Sequence, residues 1–143
     1  MTKNELITFA NQNPVTRLAT SDDNQPRVRG MLLWFADETG FYFHTGSTKD
    51  LCTQLEANPK VEAAFHQAES KGGGKMMRIT GKAEFVNDQK LETKLYQERP
   101  WVIDINRANP ATKVKIFRIY TGFGHFWTMA VNCKEKEQPR IEF

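Results

Sequence analysis

The stretch FYFHTGSTKDLCTQL, residues 41–55, changes character at its centre. In an extended chain Phe41, Phe43 and Thr45 share one face, and Tyr42 and His44 share the other, which predicts an aromatic β-strand. Small residues then interrupt the alternation, and residues 49–55 have the leucine spacing of a helix start. The strand therefore passes into a helix through a short polar connection. That connection consists of Gly46, Ser47, Thr48 and Lys49.

The polar connection has two interpretations. Ser47 or Thr48 is a good N-cap, so the segment can be an ordinary capped helix with a solvated Lys49. A helix start with free backbone N–H groups and a lysine is also a seat for an anion. A P-loop is excluded, because five residues separate Gly40 from Gly46 and the lysine follows the hydroxyl residues. Taken alone, the segment favours the capped helix.

The segment before the aromatic strand changes that balance. Residues 27–35 predict a second strand, which the turn at residues 37–40 joins to the aromatic strand as a hairpin. Arg27 and Arg29 have the same parity and lie on one face, and Gly30 permits another group to approach the backbone closely. These arginines either are solvated on an edge strand or reach an anion through bidentate contacts.

The remaining elements are short. Apolar spacing, caps and turn residues predict helices at 2–13, 47–57 and 88–96, and strands at 15–20, 61–67, 76–86, 113–120 and 123–129. Residues 100–110 are expected to form about one helical turn. Six or seven strands with three short helices predict an α+β fold around an antiparallel barrel or sheet. The length of 143 residues predicts a single domain, residues 1–143.

Composition restricts the class of protein. Twenty basic and 17 acidic residues leave a net charge of +3, and these charges are interspersed, so we expect no nucleic-acid partner. No apolar run has the roughly 20 residues of a membrane helix, so we expect no membrane partner. The N-terminus lacks the apolar core of a signal peptide, and the two cysteines form no disulfide framework. The simplest expectation is a cytoplasmic protein.

Metal-ligating and nucleophilic patterns are weak. His44, His66 and His125 have no i, i+4 pairing, and together with Cys52 and Cys133 they match no zinc spacing. We therefore expect no metal site. The sequence also lacks a GxSxG elbow, and no catalytic residue can be assigned.

Taken in order, five segments resemble one known family. They are NPVTRLAT (13–20), QPRVRGMLLWF (25–35), GFYFHTGSTKDLCTQLEANPKVEAAF (40–65), MMRITGKAEFV (76–86) and FWT (126–128). Together they resemble the FMN-binding split barrel of pyridoxamine 5′-phosphate oxidase-like proteins, in particular the small bacterial general stress proteins. The resemblance implies a six-stranded antiparallel split β-barrel with short flanking helices. It also implies a homodimer with two FMN molecules at its interface.

The resemblance assigns cofactor-binding roles along the second strand. Arg29 matches the arginine that meets the FMN phosphate. The strand whose backbone follows the ribityl chain and the isoalloxazine ring is matched by Gly30, Met31, Leu32 and Leu33.

The resemblance also assigns roles to residues 41–55. His44 and Thr45 match the end of the strand that lies against the flavin, and Ser47, Thr48 and Lys49 match the phosphate-binding segment at the helix start. Given this resemblance, a phosphate-binding site becomes the favoured interpretation of the connection at residues 46–49.

Three positions define how far the resemblance extends. Trp127 lies near the place where the partner subunit brings a tryptophan to the ring. Thr48 and Met76 stand where pyridoxamine 5′-phosphate oxidases carry an arginine and a glutamine, and residues 135–143 do not match their substrate segment. These departures argue against vitamin B6 as the substrate, whereas FMN binding is retained.

The function expected from these observations is an FMN-dependent oxidoreductase. It would pass hydride between NAD(P)H and a small organic acceptor through FMN. The alternatives are a flavin-binding or stress-response protein with little turnover, and the same barrel carrying haem or the deazaflavin F420.

Overall fold

The computed structural model describes residues 1–69 and 71–143. Within them the chain forms four α-helices: α1 (Lys3–Gln12), α2 (Asp50–Ala57), α3 (Gln89–Glu98) and α4 (Trp101–Ala108). It forms eight strands: β1 (Val15–Asp22), β2 (Gln25–Leu32), β3 (Phe35–Asp37), β4 (Gly40–Gly46), β5 (Lys60–Gln67), β6 (Lys75–Phe85), β7 (Val114–Thr128) and β8 (Ile141–Glu142).

The strands form one antiparallel sheet. Its order is β2-β1-β5-β6-β7-β4-β3, and β8 adds to β7. Phenylalanine, leucine and isoleucine side chains fill its inner face, among them Phe43, Phe65 and Phe117, which are fully buried. The predicted α+β class and split-barrel architecture are confirmed, although the sheet has eight strands rather than six and is not closed.

The link between β2 and β3 explains why the sheet curls. These two strands lie at opposite ends of the strand order, yet only Leu33 and Trp34 separate them in sequence. The Leu33 N–H donates to the Pro14 carbonyl at 2.8 Å, and the Trp34 N–H donates to the Tyr42 carbonyl at 2.8 Å. The backbone thus passes from the β1 side to the β4 side. The prediction of one strand over residues 27–35 was wrong, because its hydrogen-bond partners change at this point.

Two other predictions need correction in the second half of the chain. The two strands predicted at 113–120 and 123–129 form the single strand β7, since Gly122 pairs with Gly81 and the ladder to β6 continues past it. Residues 100–110 contain the eight-residue helix α4 rather than one turn. A register shift between Lys82 and Ala83 marks a bulge in the ladder next to Gly81.

The caps of α1 and α3 follow the sequence closely. Glu5 accepts a hydrogen bond from the Thr2 N–H, and Asp88 accepts from the N–H groups of Lys90 and Leu91. Side-chain oxygens thus satisfy N–H groups that have no partner within the helix. Local polar residues therefore determine where these helices begin.

Among the described residues, none of the helices is both long and apolar enough to cross a bilayer. Cys52, which is buried in α2, and the exposed Cys133 are free thiols.

Candidate functional site

A groove runs along β2 and the end of β4. It consists of a cleft of about 370 Å³ that reaches α4 and a cleft of about 760 Å³ that reaches α2. The two clefts share five lining residues and therefore form one continuous space, which we call the β2–β4 groove. The shared residues are Gly30, Met31, Thr45, Thr48 and Lys49.

Arg29 dominates the α2 end of the groove. Its guanidinium donates to Thr20 Oγ1 at 2.9 Å, to the Leu18 carbonyl at 3.4 Å and to Gln54 Oε1. Burial lowers the pKa of Arg29, and the carboxylate of Asp50 opposes that shift. The ordinary pKa of arginine is so high that Arg29 remains protonated despite this shift. The fold therefore holds a fixed, half-buried positive charge at this end.

The connection between β4 and α2 differs from its predicted detail. Lys49, not Ser47 or Thr48, is the N-cap residue of α2. Ser47 Oγ instead accepts from the Lys113 N–H at 2.9 Å, and the hydroxyl of Thr48 lies 2.6 Å from that of Thr112. Both hydroxyls tie the connection to the segment before β7. The exposed Lys49 therefore lines the groove, next to the first N–H groups of α2, which no side chain of the described residues caps.

Acidic groups moderate the charge at the α2 end. Asp22 pairs with Arg27 at 3.1 Å, so these two charges compensate one another. Asp50, in the first turn of α2, lines the same end. Arg29 and Lys49 then face one carboxylate, which leaves an excess of positive charge.

Gly30 lies at the middle of the groove and is not required by the fold. Its φ is not positive, and a Cβ atom built there would meet only the Arg17 side chain, at 3.9 Å. By contrast, a Cβ at Gly81 or Gly124 would come within 3 Å of neighbouring atoms. The chain itself therefore leaves room for a side chain at position 30, and the glycine keeps the β2 backbone open at the groove.

His44 lines the α4 end of the groove, and Arg99 forms a hydrogen bond with it. Arg99 donates to His44 Nε2 at 2.8 Å and to the Leu33 carbonyl at 2.7 Å. Because arginine only donates, Nε2 has to be unprotonated. Burial, then the charges of Arg99 and Lys49, lower the pKa of His44 to about 4. The imidazole is neutral at physiological pH and carries its proton on Nδ1.

Helix α4 forms a wall of the groove that was not predicted from the sequence. The wall comprises Trp101, Val102, Ile105 and Asn106, and it is extended by Asn109, which follows the helix. The Trp101 ring lies 5.5 Å from the His44 ring, centroid to centroid. The signal was present, since Trp101, Val102 and Ile105 have the i, i+1, i+4 spacing of an apolar helix face.

The comparisons with known proteins identify the family. The family model described as pyridoxamine 5′-phosphate oxidase matches residues 2–121. The chain belongs to this family. The pyridoxine/pyridoxamine 5′-phosphate oxidase of Trichormus variabilis is 31% identical over 84 residues, 59% of this chain and 38% of that protein. The chain thus spans about two fifths of the length of the curated relative.

Solved structures show the same fold at low identity. A NimC/NimA family protein from Clostridium acetobutylicum has a TM-score of 0.74 at 21% identity, covering 98% of this chain and 92% of that one. A FAD-binding protein from Mesorhizobium loti has a TM-score of 0.65 at 23% identity, covering 84% and 87%. HutZ, the haem storage protein from Vibrio cholerae, has a TM-score of 0.65 at 16% identity, covering 90% and 95%.

This member of the pyridoxamine 5′-phosphate oxidase family brings most of the predicted site residues together. The residues that line the groove are Arg29, Gly30, Met31, Leu32, His44, Thr45, Thr48 and Lys49. Leu33 is buried in the core at 1% exposure, so its carbonyl rather than its side chain faces Arg99. The Ser47 hydroxyl is occupied by Lys113.

Trp127 lies away from the groove of its own chain. It lines a separate cleft of about 240 Å³ on the outer face of β6 and β7, together with Met76, Arg78 and His125. Trp127 is therefore not among the residues that line the groove in the described part of the chain. Among the described residues, no group of three or more His, Cys, Asp or Glu side chains is placed to hold a metal ion.

Proposed function

We propose that the β2–β4 groove binds FMN and that the protein is an FMN-dependent oxidoreductase. It would pass hydride between NAD(P)H and a small organic acceptor. The observation that carries this proposal is the difference in charge between the two ends of the groove. One end holds the fixed charge of Arg29 beside Lys49, and the other has a neutral histidine and an apolar helix wall. An FMN molecule is complementary to this groove, because it has a dianionic phosphate at one end and a planar ring at the other.

The α2 end suits a phosphate. Arginine and lysine form charge-assisted hydrogen bonds with phosphate oxygens, and the first N–H groups of α2 add donors beside them. Lys49 is the N-cap residue of α2, so its side chain begins beside the first N–H groups of that helix. Met31, Thr45 and Thr48 line both clefts, so a ligand held at this end can extend toward α4.

The middle and the α4 end suit the ribityl chain and the ring. The open backbone at Gly30 gives a ligand access to the polar groups of β2. Leu32, Val102 and Ile105 supply apolar contacts, and Trp101 supplies an aromatic face. When bound, FMN supplies the redox chemistry, and the protein contributes position and electrostatics.

The hydrogen bond between Arg99 and His44 argues against His44 as a haem ligand in this groove. A haem ligand must offer an unprotonated ring nitrogen, and Nε2 of His44 already accepts from Arg99. We therefore favour flavin, in agreement with the FAD-binding name of the Mesorhizobium loti relative. The haem storage name of the Vibrio cholerae relative motivates an explicit test.

The proposal includes a homodimer. β2 is an end strand of the sheet order, and apolar side chains on and beside it are exposed: Val28 at 70%, Val15 at 62% and Leu32 at 43%. Exposed apolar patches of this kind mark interaction sites. A second copy of the chain would cover them, and the partner's Trp127 would then approach the ring.

The visible spectrum of the purified protein after incubation with FMN tests the proposed cofactor. A two-band flavin spectrum that stays with the protein on gel filtration supports it, whereas a Soret band would indicate haem. A protein that takes up no FMN contradicts the proposal. Anaerobic addition of NADH or NADPH then separates an enzyme from a flavin-binding protein, because only a reductase bleaches the flavin.

A further inference from the structure

Gln54 is a buried polar residue in the helix that borders the α2 end of the groove. It is 7% exposed, and its Oε1 accepts from Thr20 Oγ1 at 2.6 Å and from the guanidinium of Arg29. The other buried residues of α2 are Leu51, Cys52 and Leu55. Because arginine can only donate, the amide atom beside Arg29 must be the oxygen, which sets the orientation of the amide.

The chemistry of this contact is informative because the acceptor is neutral. Buried arginines are usually paired with a carboxylate. A carboxylate at position 54 would hold the guanidinium equally well but would compensate its charge. The amide oxygen of Gln54 orients Arg29 and leaves that charge available to an anion in the groove.

Gln54 and Arg29 also keep donors free. The contacts with Leu18, Thr20 and Gln54 use three of the five N–H donors that a guanidinium carries. Gln54 itself lines the groove, and within residues 1–69 and 71–143 its Nε2 makes no hydrogen bond. Two guanidinium donors and the amide nitrogen are thus left for a ligand.

We propose that Gln54 is a positioning residue for the phosphate of the bound ligand, acting through Arg29. The inference rests on the proposed FMN site. It adds the reason why the charge of Arg29 remains available to the phosphate. Asp50 is the acidic group near Arg29. It lies in the exposed first turn of α2, where solvent screens it, whereas Gln54 is buried against the guanidinium.

The test compares FMN with riboflavin, which lacks the phosphate. Both are titrated by flavin fluorescence into the wild-type protein and into Gln54→Glu and Gln54→Met. Gln54→Glu pairs with Arg29, and we expect it to weaken FMN binding by about 10- to 100-fold while riboflavin binding changes by less than about twofold. Gln54→Met removes the acceptor without adding charge, so we expect an intermediate loss for FMN alone. Thr53→Glu adds the same charge at an exposed position of α2 and is the matched control.

The outcomes separate the two proposals. A wild-type protein that binds neither flavin overturns the FMN site and this inference with it. A wild-type preference for FMN over riboflavin that persists in both Gln54 variants overturns only the role of Gln54. Equal losses for FMN and riboflavin would mean that Gln54 merely supports the fold, and they also overturn the proposal. If Gln54→Glu does not fold, the FMN-to-riboflavin ratio of Gln54→Met decides.

Discussion

Arg99 donates a 2.8 Å hydrogen bond to Nε2 of His44, although 55 positions separate the two residues in sequence. The same guanidinium donates to the carbonyl of Leu33, at the point where the chain passes from β2 to β3. One arginine at the end of α3 thus fixes both a groove residue and the link between β2 and β3. Protonation of His44 would place a cation against Arg99 and break this contact.

Stability is therefore expected to fall on acidification through the range of His44. Its pKa is about 4 in the folded protein against an ordinary histidine value of 6.5, so the unfolded state binds more protons between these values. Stability then rises with pH over this window and is lost as pH falls toward 4. We expect a contribution of roughly 1–2 kcal/mol, reduced from the full shift by solvent screening. Urea unfolding at several pH values measures it.

The matched variant for this experiment is His44→Asn, which can accept from Arg99 but does not titrate. Its stability should depend less steeply on pH between 4 and 6.5. A residual slope is expected from His125, whose pKa is also lowered, mainly by burial. An unchanged slope in His44→Asn would contradict the assignment.

Lys49→Ala should weaken FMN binding by about 1.5–3 kcal/mol if the lysine contacts the phosphate. Riboflavin binding should change little, because the lost interaction involves only the phosphate. Isothermal titration with both ligands measures the difference. Lys60→Ala, an exposed lysine at the start of β5, is the control. Equal FMN affinities for Lys49→Ala and the wild type would rule out the contact.

Gly30→Val should lower FMN affinity by about tenfold or more without destabilising the fold. A Cβ at this position meets only Arg17, and valine suits a strand better than glycine does, so the melting temperature should stay constant or rise. Thermal unfolding without ligand and FMN titration measure the two effects. Gly30→Ala should lie between the wild type and valine. A lower melting temperature would show that the protein itself needs the glycine.

Asp50→Asn should strengthen FMN binding by about two- to fivefold. The change removes the carboxylate that shares the α2 end with Arg29, and the gain should shrink in high salt. Stability should fall by roughly 0.3–1 kcal/mol, since an acidic residue in the first turn favours the helix. Glu56→Gln removes an exposed acid from the same helix and is the control. Weaker FMN binding in Asp50→Asn would mean that the carboxylate contributes to the site.

Val28→Glu should produce a monomer and lower FMN affinity. The side chain is 70% exposed on the end strand β2, so a charge there opposes burial by a second copy but costs the isolated fold little. Light scattering measures the oligomeric state. Thr93→Glu, at an exposed position of α3, adds the same charge elsewhere. A wild-type protein that is already monomeric would contradict the dimer.

Local patterns of the sequence determined most of the elements. Alternation marked β1, β4 and β5, Asp88 marked the start of α3, and the turn at residues 37–40 marked the β3–β4 hairpin. These features depend on residues a few positions apart, whose steric and hydrogen-bonding preferences act within the segment itself. Arg29 and Lys49 were assigned from recognisable segments, and both line the β2–β4 groove.

Only the tertiary structure decided how those segments meet. Residues 27–35 look like one strand locally, yet their carbonyl and N–H partners lie on two different strands, so the chain divides at Leu33. Arg29 donates to Gln54, 25 positions away, and Trp101 of α4 lies against the ring of His44. Such contacts depend on the curl of the sheet, which brings distant residues together. The sequence alone therefore determined which residues carry charge, and the fold decided where that charge is held.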